Sequence, residues 1–237
     1  SVVSRLADSL REKFGKLFES IPTTGEYRAD AVSIANRALC NLCLHYLMQG
    51  DEVHWSAIVY KQYYEANNMT DQLAALRLLV NAESEKVSEL AGQALADFYQ
   101  RWQQEPLVVD QWFGVQAMAQ KPGALSRVKA LMDHPAFEFK NPNKVRSLIG
   151  AFCGQNFTGF HDESGDGYEF LADQVIALDA LNPQVASRLL TPLTRWKKFD
   201  SKRQALMQAQ LLRIKAAPDL SKDVFEIVEK STVQITG

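Results

Sequence analysis

The sequence predicts an all-α protein, an irregular α-solenoid of stacked antiparallel helix pairs with a concave face. Apolar residues recur at intervals of three and four along most of the chain, which is the period of an amphipathic helix. The eight prolines and twelve glycines divide the 237 residues into pieces of helical length. Sustained alternation of apolar and polar residues, which would indicate strands, is absent. Stacked helix pairs bury apolar stripes that single helices would leave exposed.

Individual helices are predicted from apolar stripes and start signals. The clearest stripe covers residues 87–102. Residues 31–48 are apolar on more than one face, so neighbours are expected to bury this helix on both sides. Asn141 and Asn182 each precede a proline, which is typical of an N-cap followed by the first helical turn. Residues 154–167 are rich in glycine and are predicted to form the main irregular loop.

Composition and charge exclude several classes of partner. The net charge is −2, from 26 basic and 28 acidic residues, so no general positive field favours nucleic acid or an anionic membrane. No apolar run approaches the ~20 residues needed to span a bilayer. The N-terminal segment lacks the basic and apolar blocks of a signal peptide. The three cysteines cannot all pair with one another, so we expect reduced thiols in a cytoplasmic protein.

The motifs of common catalytic sites are missing from the sequence. It contains no H-E-x-x-H, no G-x-S-x-G and no P-loop, so a self-contained enzyme is not expected. Cys40, Cys43 and His45 form a C-x-x-C-x-H pattern, but a structural zinc site needs further ligands and buried thiols behave as small apolar groups. Residues 162–173 begin like a calcium-binding loop, yet Asp173 stands where the loop needs a glutamate. No metal is assigned to this chain.

Two similar segments form the best candidate for a binding site. Residues 141–146 read NPNKVR and residues 182–188 read NPQVASR, so each has an asparagine cap, a proline in the first turn and an arginine further on. A helix N-terminus presents free N–H groups and the positive end of the helix dipole. Two such ends with Arg146 and Arg188 would form a receptor for a carboxylate. The alternative is that each arginine pairs with an acidic residue on the surface.

These segments resemble a known family, the zinc aminopeptidases of the gluzincin type. Residues 141–152 (NPNKVRSLIGAF) and 182–188 are similar to the C-terminal α-helical domain of bacterial aminopeptidase N. The similarity is specific from about residue 70 to residue 230 and is weaker over residues 1–67. Further similar residues are Met69, Thr70, Asp71, Trp112, Phe113, Pro122, His134, Pro135, Ala136 and Phe137.

The resemblance implies a domain organisation and an activity. The parent enzyme would remove N-terminal residues from peptides, and a separate catalytic domain would bind one zinc ion through H-E-x-x-H and a later glutamate. Residues 1–237 would be a single C-terminal helical domain, with a possible first sub-bundle at residues 1–67. This domain would cap the catalytic domain and close the substrate chamber. On its own it would be inactive, because it lacks H-E-x-x-H.

The resemblance also implies roles for three residues. Arg146, Gln184 and Arg188 match family positions that line the chamber opposite the zinc, where they would bind substrate by holding its downstream backbone or carboxylate. The expected partners are therefore the remainder of the same polypeptide and a peptide substrate. Two alternatives stay open. The chain would otherwise be a free-standing helical adaptor that binds a peptide or protein on its concave face, or a module that only stabilises its parent.

Overall fold

The computed structural model describes residues 2–22 and 25–232. These residues form helices, turns and bends, and no strand occurs among them, which confirms the predicted all-α class. None of the helices in these two ranges is long and apolar enough to cross a membrane. The chain divides into two compact units, Ser1–Trp102 and Gln103–Gly237. The first unit includes residues 1–67 and continues well past them.

In the first unit, each helix packs against the next one along the chain. Side chains start three of these helices, because an oxygen of Asp30, Asp51 or Asn68 accepts a hydrogen bond from the backbone N–H three residues further on. Such caps satisfy donors that the helix itself leaves without a partner. The helices are α1 (Val2–Ser20), α2 (Ala31–Gly50), α3 (Glu52–Glu65), α4 (Met69–Asn81) and α5 (Glu85–Trp102).

Helix α2 is buried on one face and exposed on the other. Val32, Leu39 and Leu42 are 69%, 37% and 48% exposed. Together with the exposed Ala35 they follow a three-four-three spacing that places them on one strip of the helix; we call these four residues the α2 apolar strip. The prediction that neighbours bury this helix on both sides is wrong for the described residues, because α1, α3 and α4 leave the strip uncovered. The buried residues of α2 are Cys40, Cys43, Leu44, Leu47 and Met48.

The second unit is built from shorter helices. Residues 142–155 form one continuous helical run, in which the hydrogen-bond pattern widens to that of a π-helix between Arg146 and Gly150. π-Helical turns inside helices are frequent at functional sites. The helices are α6 (Pro106–Ala117), α7 (Ala124–Met132), α8 (Pro142–Val145), α9 (Ala151–Gln155), α10 (Phe157–Phe160), α11 (Asp166–Asp179), α12 (Pro183–Leu189), α13 (Thr191–Thr194), α14 (Ser201–Lys215) and α15 (Lys222–Thr232), with a 3₁₀ turn at Trp196–Lys198.

A buried ion pair fastens the run 142–155 to α6. The Lys144 ammonium donates to the Asp110 carboxylate at 2.8 Å and to the Pro106 carbonyl at 3.0 Å. The two charged side chains are only 8% and 12% exposed. The ring centroid of Phe113 lies 5.7 Å from the ammonium nitrogen. Because a buried charge needs a partner, this pair fixes the position of α8 and of the π-helical turn that follows it.

Residues 154–167 are mostly helical, so the prediction of a long irregular loop is wrong. Helices α9, α10 and α11 cover most of the range. A Cβ atom on Gly167 would lie 2.4 Å from the carbonyl oxygen of Phe160, a separation that no real Cβ tolerates. Glycine is therefore needed here for the close approach of α11 to α10, and it does not mark a loop.

A buried asparagine stabilises the turn between α9 and α10. The side chain of Asn156 donates to the carbonyls of Ala117 and Ala119, each at 2.9 Å. Its own carbonyl oxygen accepts from the backbone N–H of Gly159 at 3.0 Å. The side chain thus connects α10 to the end of α6 without leaving a buried polar atom unsatisfied.

The ion pair gives a test of this arrangement. Replacing Lys144 by Met preserves most of the aliphatic length but leaves Asp110 buried without a counter-charge, so we expect the free energy of unfolding to fall by about 3 kcal/mol. Urea titration followed by circular dichroism measures the change. The double variant Lys144→Met with Asp110→Leu removes both charges and should recover much of the loss. Unchanged stability in the single variant would contradict an anchoring role for the pair.

Candidate functional site

The second unit contains an open cavity of about 470 Å³. One side is formed by the π-helical turn and α9, a second by α10 and the residue after it, and a third by α12, α13 and the 3₁₀ turn. All of these elements belong to the same unit. The lining residues are Gly150, Cys153, Gly154, Phe157, His161, Arg188, Leu189, Thr191, Pro192, Arg195, Lys198 and Phe199.

Three cations line the cavity. Arg188, Arg195 and Lys198 line it, and no carboxylate is found among the lining residues that the structure describes. None of the three side chains makes a hydrogen bond or ion pair within residues 2–22 and 25–232. Leu190, between α12 and α13, keeps helical backbone angles, and one residue, Arg195, separates α13 from the 3₁₀ turn. The three cations therefore come from one short stretch of consecutive helical turns.

Aromatic residues also line the cavity. Phe157 is 64% exposed. The rings of His161 and Phe199 are stacked with centroids 4.2 Å apart, and Nδ1 of His161 lies 2.9 Å from the Tyr168 hydroxyl. A Cβ atom on Gly154 would meet no other atom within 4 Å, so the space beside α9 is open.

The two other titratable groups in the cavity are neutral near pH 7. Burial, and secondly the positive charge of Arg203, lower the pKa of His161 to about 4. Burial raises the pKa of the Cys153 thiol well above its ordinary value. The positive charge of the cavity therefore comes from its arginines and its lysine. The arrangement is suited to binding an anion, and it holds no group placed for nucleophilic or acid–base chemistry.

The three residues predicted to bind substrate occupy different positions. Arg188 lines the cavity, whereas Arg146 and Gln184 do not. The Arg146 guanidinium is exposed and donates to the carbonyl of Pro142 at 3.1 Å and to the side chain of Asn143 at 2.6 Å. Gln184 is exposed one turn before Arg188 on α12. Among the described residues neither arginine pairs with an acid, so the alternative of surface ion pairs finds no support.

The two arginine-bearing segments lie next to each other at Gly150. A Cβ atom on this glycine would lie 3.7 Å from Cδ2 of Leu189 and 3.9 Å from Cβ of Arg146. The predicted caps are confirmed, since the side chains of Asn141 and Asn182 accept hydrogen bonds from backbone N–H groups of α8 and α12. The segments therefore share one region, although only Arg188 reaches the cavity.

Sequence reasoning missed Arg195 and Lys198. A signal for them exists, because both follow Arg188 at helical intervals and no acidic residue lies between residues 188 and 198. Pro192 lies in this stretch, however, and the sequence alone does not show that the helical course continues through the proline. Phe157 and His161 lie within residues 154–167, the segment predicted to be irregular, and neither residue was singled out from the sequence.

No metal centre is formed by the residues that the structure describes. Within them, no three His, Cys, Asp or Glu side chains are grouped so that they could hold a metal ion. Cys40 and Cys43 are buried free thiols. Asp173, the last position of the calcium-like segment, forms an ion pair with Arg213.

The chain is similar to known proteins along almost its whole length. Residues 1–233 match the family described as "Domain of unknown function (DUF3458_C) ARM repeats". The chain is 43% identical over 228 residues to aminopeptidase N of Haemophilus influenzae, covering 96% of this chain and 25% of that protein. It is 41% identical over 231 residues to aminopeptidase N of Escherichia coli, covering 98% of this chain and 26% of that protein.

A solved structure gives the same result. The crystal structure of Legionella pneumophila aminopeptidase A in complex with aspartic acid matches with a TM-score of 0.88 and 34% sequence identity, covering 98% of this chain and 28% of that chain. ARM repeats are stacked helical units of the solenoid class, so the predicted class of helical architecture is confirmed. The chain spans about a quarter of the length of the curated relatives described above.

The lowered pKa of His161 predicts that the folded chain loses stability as the solution becomes acidic. Because its pKa is about 4 in the folded chain and about 6.5 when unperturbed, the unfolded state binds more protons between these values. The free energy of unfolding therefore falls as the pH decreases from 6.5 towards 4, and the His161 contribution is complete above 6.5. His161→Phe should reduce the difference in unfolding free energy between pH 7 and pH 4.5, measured with urea. A difference of the same size in this variant would exclude His161 as a source.

Proposed function

Because this chain belongs to the ARM-repeat family of C-terminal aminopeptidase N domains, we propose that the longer polypeptide containing it removes N-terminal amino acids from peptides. The resemblance carried by residues 141–152 and 182–188 is confirmed by relatives that are 39% to 43% identical to this chain. Each of these relatives is named aminopeptidase N. This similarity, over nearly the whole chain, is the observation on which the proposal depends.

The zinc ion expected of such an enzyme does not fit the residues of this chain. The sequence has no H-E-x-x-H, and the described side chains contain no group suited to a metal. We therefore assign the zinc to a catalytic domain elsewhere in the polypeptide, and to this chain a role in binding and covering. Hydrolysis would require the longer polypeptide. A cytoplasmic location agrees with three free, buried cysteines.

The α2 apolar strip supports a capping role. Large exposed apolar surfaces on a soluble protein usually mark a contact with another protein surface. Most of the polypeptide lies outside this chain, if its length is that of its relatives. The strip would thus pack against the catalytic domain, and this contact would help to close the substrate chamber.

Within that chamber, we assign Arg188 to substrate orientation. Arg188 lines the cavity, and its guanidinium has no acidic partner among the described residues, so it is available to a ligand carboxylate. Arg146 and Gln184 would contact more distant parts of the substrate, since neither lines the cavity. Such residues position the peptide and take no part in bond breaking. The alternative of a free-standing adaptor would use the same cavity but would not require an attached catalytic domain.

The role of Arg188 is tested in the longer polypeptide. Arg188→Ala should lower kcat/KM for a tripeptide with a free carboxylate by about tenfold or more, because a charge-assisted hydrogen bond to the substrate is lost. A single-residue chromogenic amide has no downstream carboxylate and should be affected much less. Steady-state kinetics on both substrates gives the comparison. Equal losses on the two substrates would contradict an orienting role and favour a structural one.

The capping role is tested at the α2 apolar strip. Leu42→Glu places a carboxylate in the proposed interface, so it should destabilise the longer polypeptide by about 2 kcal/mol or more. The same variant of the 237-residue chain serves as the control, because there Leu42 is 48% exposed and stability should hardly change. Thermal unfolding of both proteins measures the effect. Equal shifts in the two proteins would rule out a covering contact at this strip.

A further inference from the structure

We propose that the cavity is a receptor for the free terminal carboxylate of a peptide whose last side chain is apolar. In this site Arg195 and Lys198 act together with Arg188 to select the carboxylate. The inference rests on the proposed function and deepens it, because it adds two residues and defines the end of the substrate that this domain recognises.

The charge balance of the cavity calls for an anion. Every lining residue that is charged near pH 7 is a cation. Some arginines of the described chain pair with nearby acids, as in Arg101–Asp97 and Arg203–Asp200, and others, such as Arg127 and Arg146, donate to carbonyl groups. Arg188, Arg195 and Lys198 have no such partner in residues 2–22 and 25–232. Three like charges that line one cavity repel one another, and a bound anion reduces this repulsion; a carboxylate offers two oxygens to guanidinium groups.

The aromatic lining residues indicate which kind of side chain the carboxylate-bearing residue carries. Phe157 is exposed towards the cavity, and the Phe199 ring stacks on a neutral His161. Gly154 contributes no side chain, and the space beside it is open. A cavity lined by both aromatic and cationic residues fits a group that is apolar at one end and anionic at the other. The C-terminal residue of a peptide with an apolar side chain has this character.

The size of the cavity agrees with such a ligand. Its volume of about 470 Å³ falls within the range of roughly 300–1,000 Å³ that is typical of small-molecule sites. It therefore holds one or two residues of a peptide and excludes a folded segment. Arg146 lies outside, held by Pro142 and Asn143, so the site that selects the carboxylate is formed by residues 188–198 and not by the pair of asparagine-capped arginines.

Binding to the 237-residue chain tests the site directly. The probe is the acetylated tripeptide alanyl-alanyl-phenylalanine, which has a blocked amine and a free carboxylate, and the comparison is its C-terminal amide. Isothermal titration calorimetry should show that the acid binds about tenfold or more tightly than the amide. A second amide that ends in glutamate instead of phenylalanine separates a terminal carboxylate from an acidic side chain. Equal binding of the acid and either amide would overturn the proposal.

Single substitutions test which of the cations bind the terminal carboxylate. Arg195→Gln and Lys198→Gln should each weaken binding of the acid by about three- to tenfold and leave the amide unchanged. Lys197→Gln is the matched control, because Lys197 is also exposed but lies over the Trp196 ring and outside the cavity. Circular dichroism establishes that the variants remain folded. Similar losses in the control and in Lys198→Gln would show a general effect of charge and would refute the site.

The same variants in the longer polypeptide separate this inference from the proposed function. If the site is correct, Arg195→Gln raises KM for the free tripeptide more than for its amide, and kcat changes little. A longer polypeptide with no aminopeptidase activity would refute the proposed function while selective binding of the acid to the 237-residue chain would still stand. Normal activity with no preference for the acid would refute the site alone.

Discussion

The buried ion pair between Lys144 and Asp110 is the constraint on which the candidate site depends. It holds the run 142–155 against α6, and that run supplies Gly150, Cys153 and Gly154 to the cavity. Two residues after Lys144, the chain has turned by about 200°, so Arg146 is exposed while Lys144 is buried. The same short segment thus anchors one side of the cavity with one cation and presents another to solvent.

The sequence was sufficient where structure follows from local rules. Residues 87–102 form α5 because their apolar stripe repeats with the helical period. Asn141 and Asn182 cap α8 and α12 because a side-chain oxygen there reaches a free N–H group whatever the surroundings. The all-α class and the family resemblance follow from such local patterns, and both are confirmed.

The sequence was insufficient where the outcome depends on distant residues. Gly167 is required because the Phe160 carbonyl approaches it from another helix, yet in the sequence it resembles a loop glycine. The two apolar faces of residues 31–48 indicate burial on both faces, but only one face is covered within the described chain. The cavity combines residues 150–161 with residues 188–199, two stretches far apart in sequence, so Arg188 was identified through its motif, whereas Arg195 and Lys198 required the fold.

Arg188, Arg195 and Lys198 have no acidic partner in the described chain, and the negative charge that balances them has two conceivable sources. One is an acidic residue from the rest of the polypeptide, and the other is a bound ligand. An acid from the rest of the polypeptide would neutralise them, but that arrangement gives no reason for the exposed ring of Phe157 or the open space beside Gly154. Exposed ion pairs contribute little to stability, about 0–1 kcal/mol each, so folding alone offers weak grounds for grouping like charges. A ligand that is anionic at one end and apolar at the other accounts for both the cationic and the aromatic lining residues of the cavity.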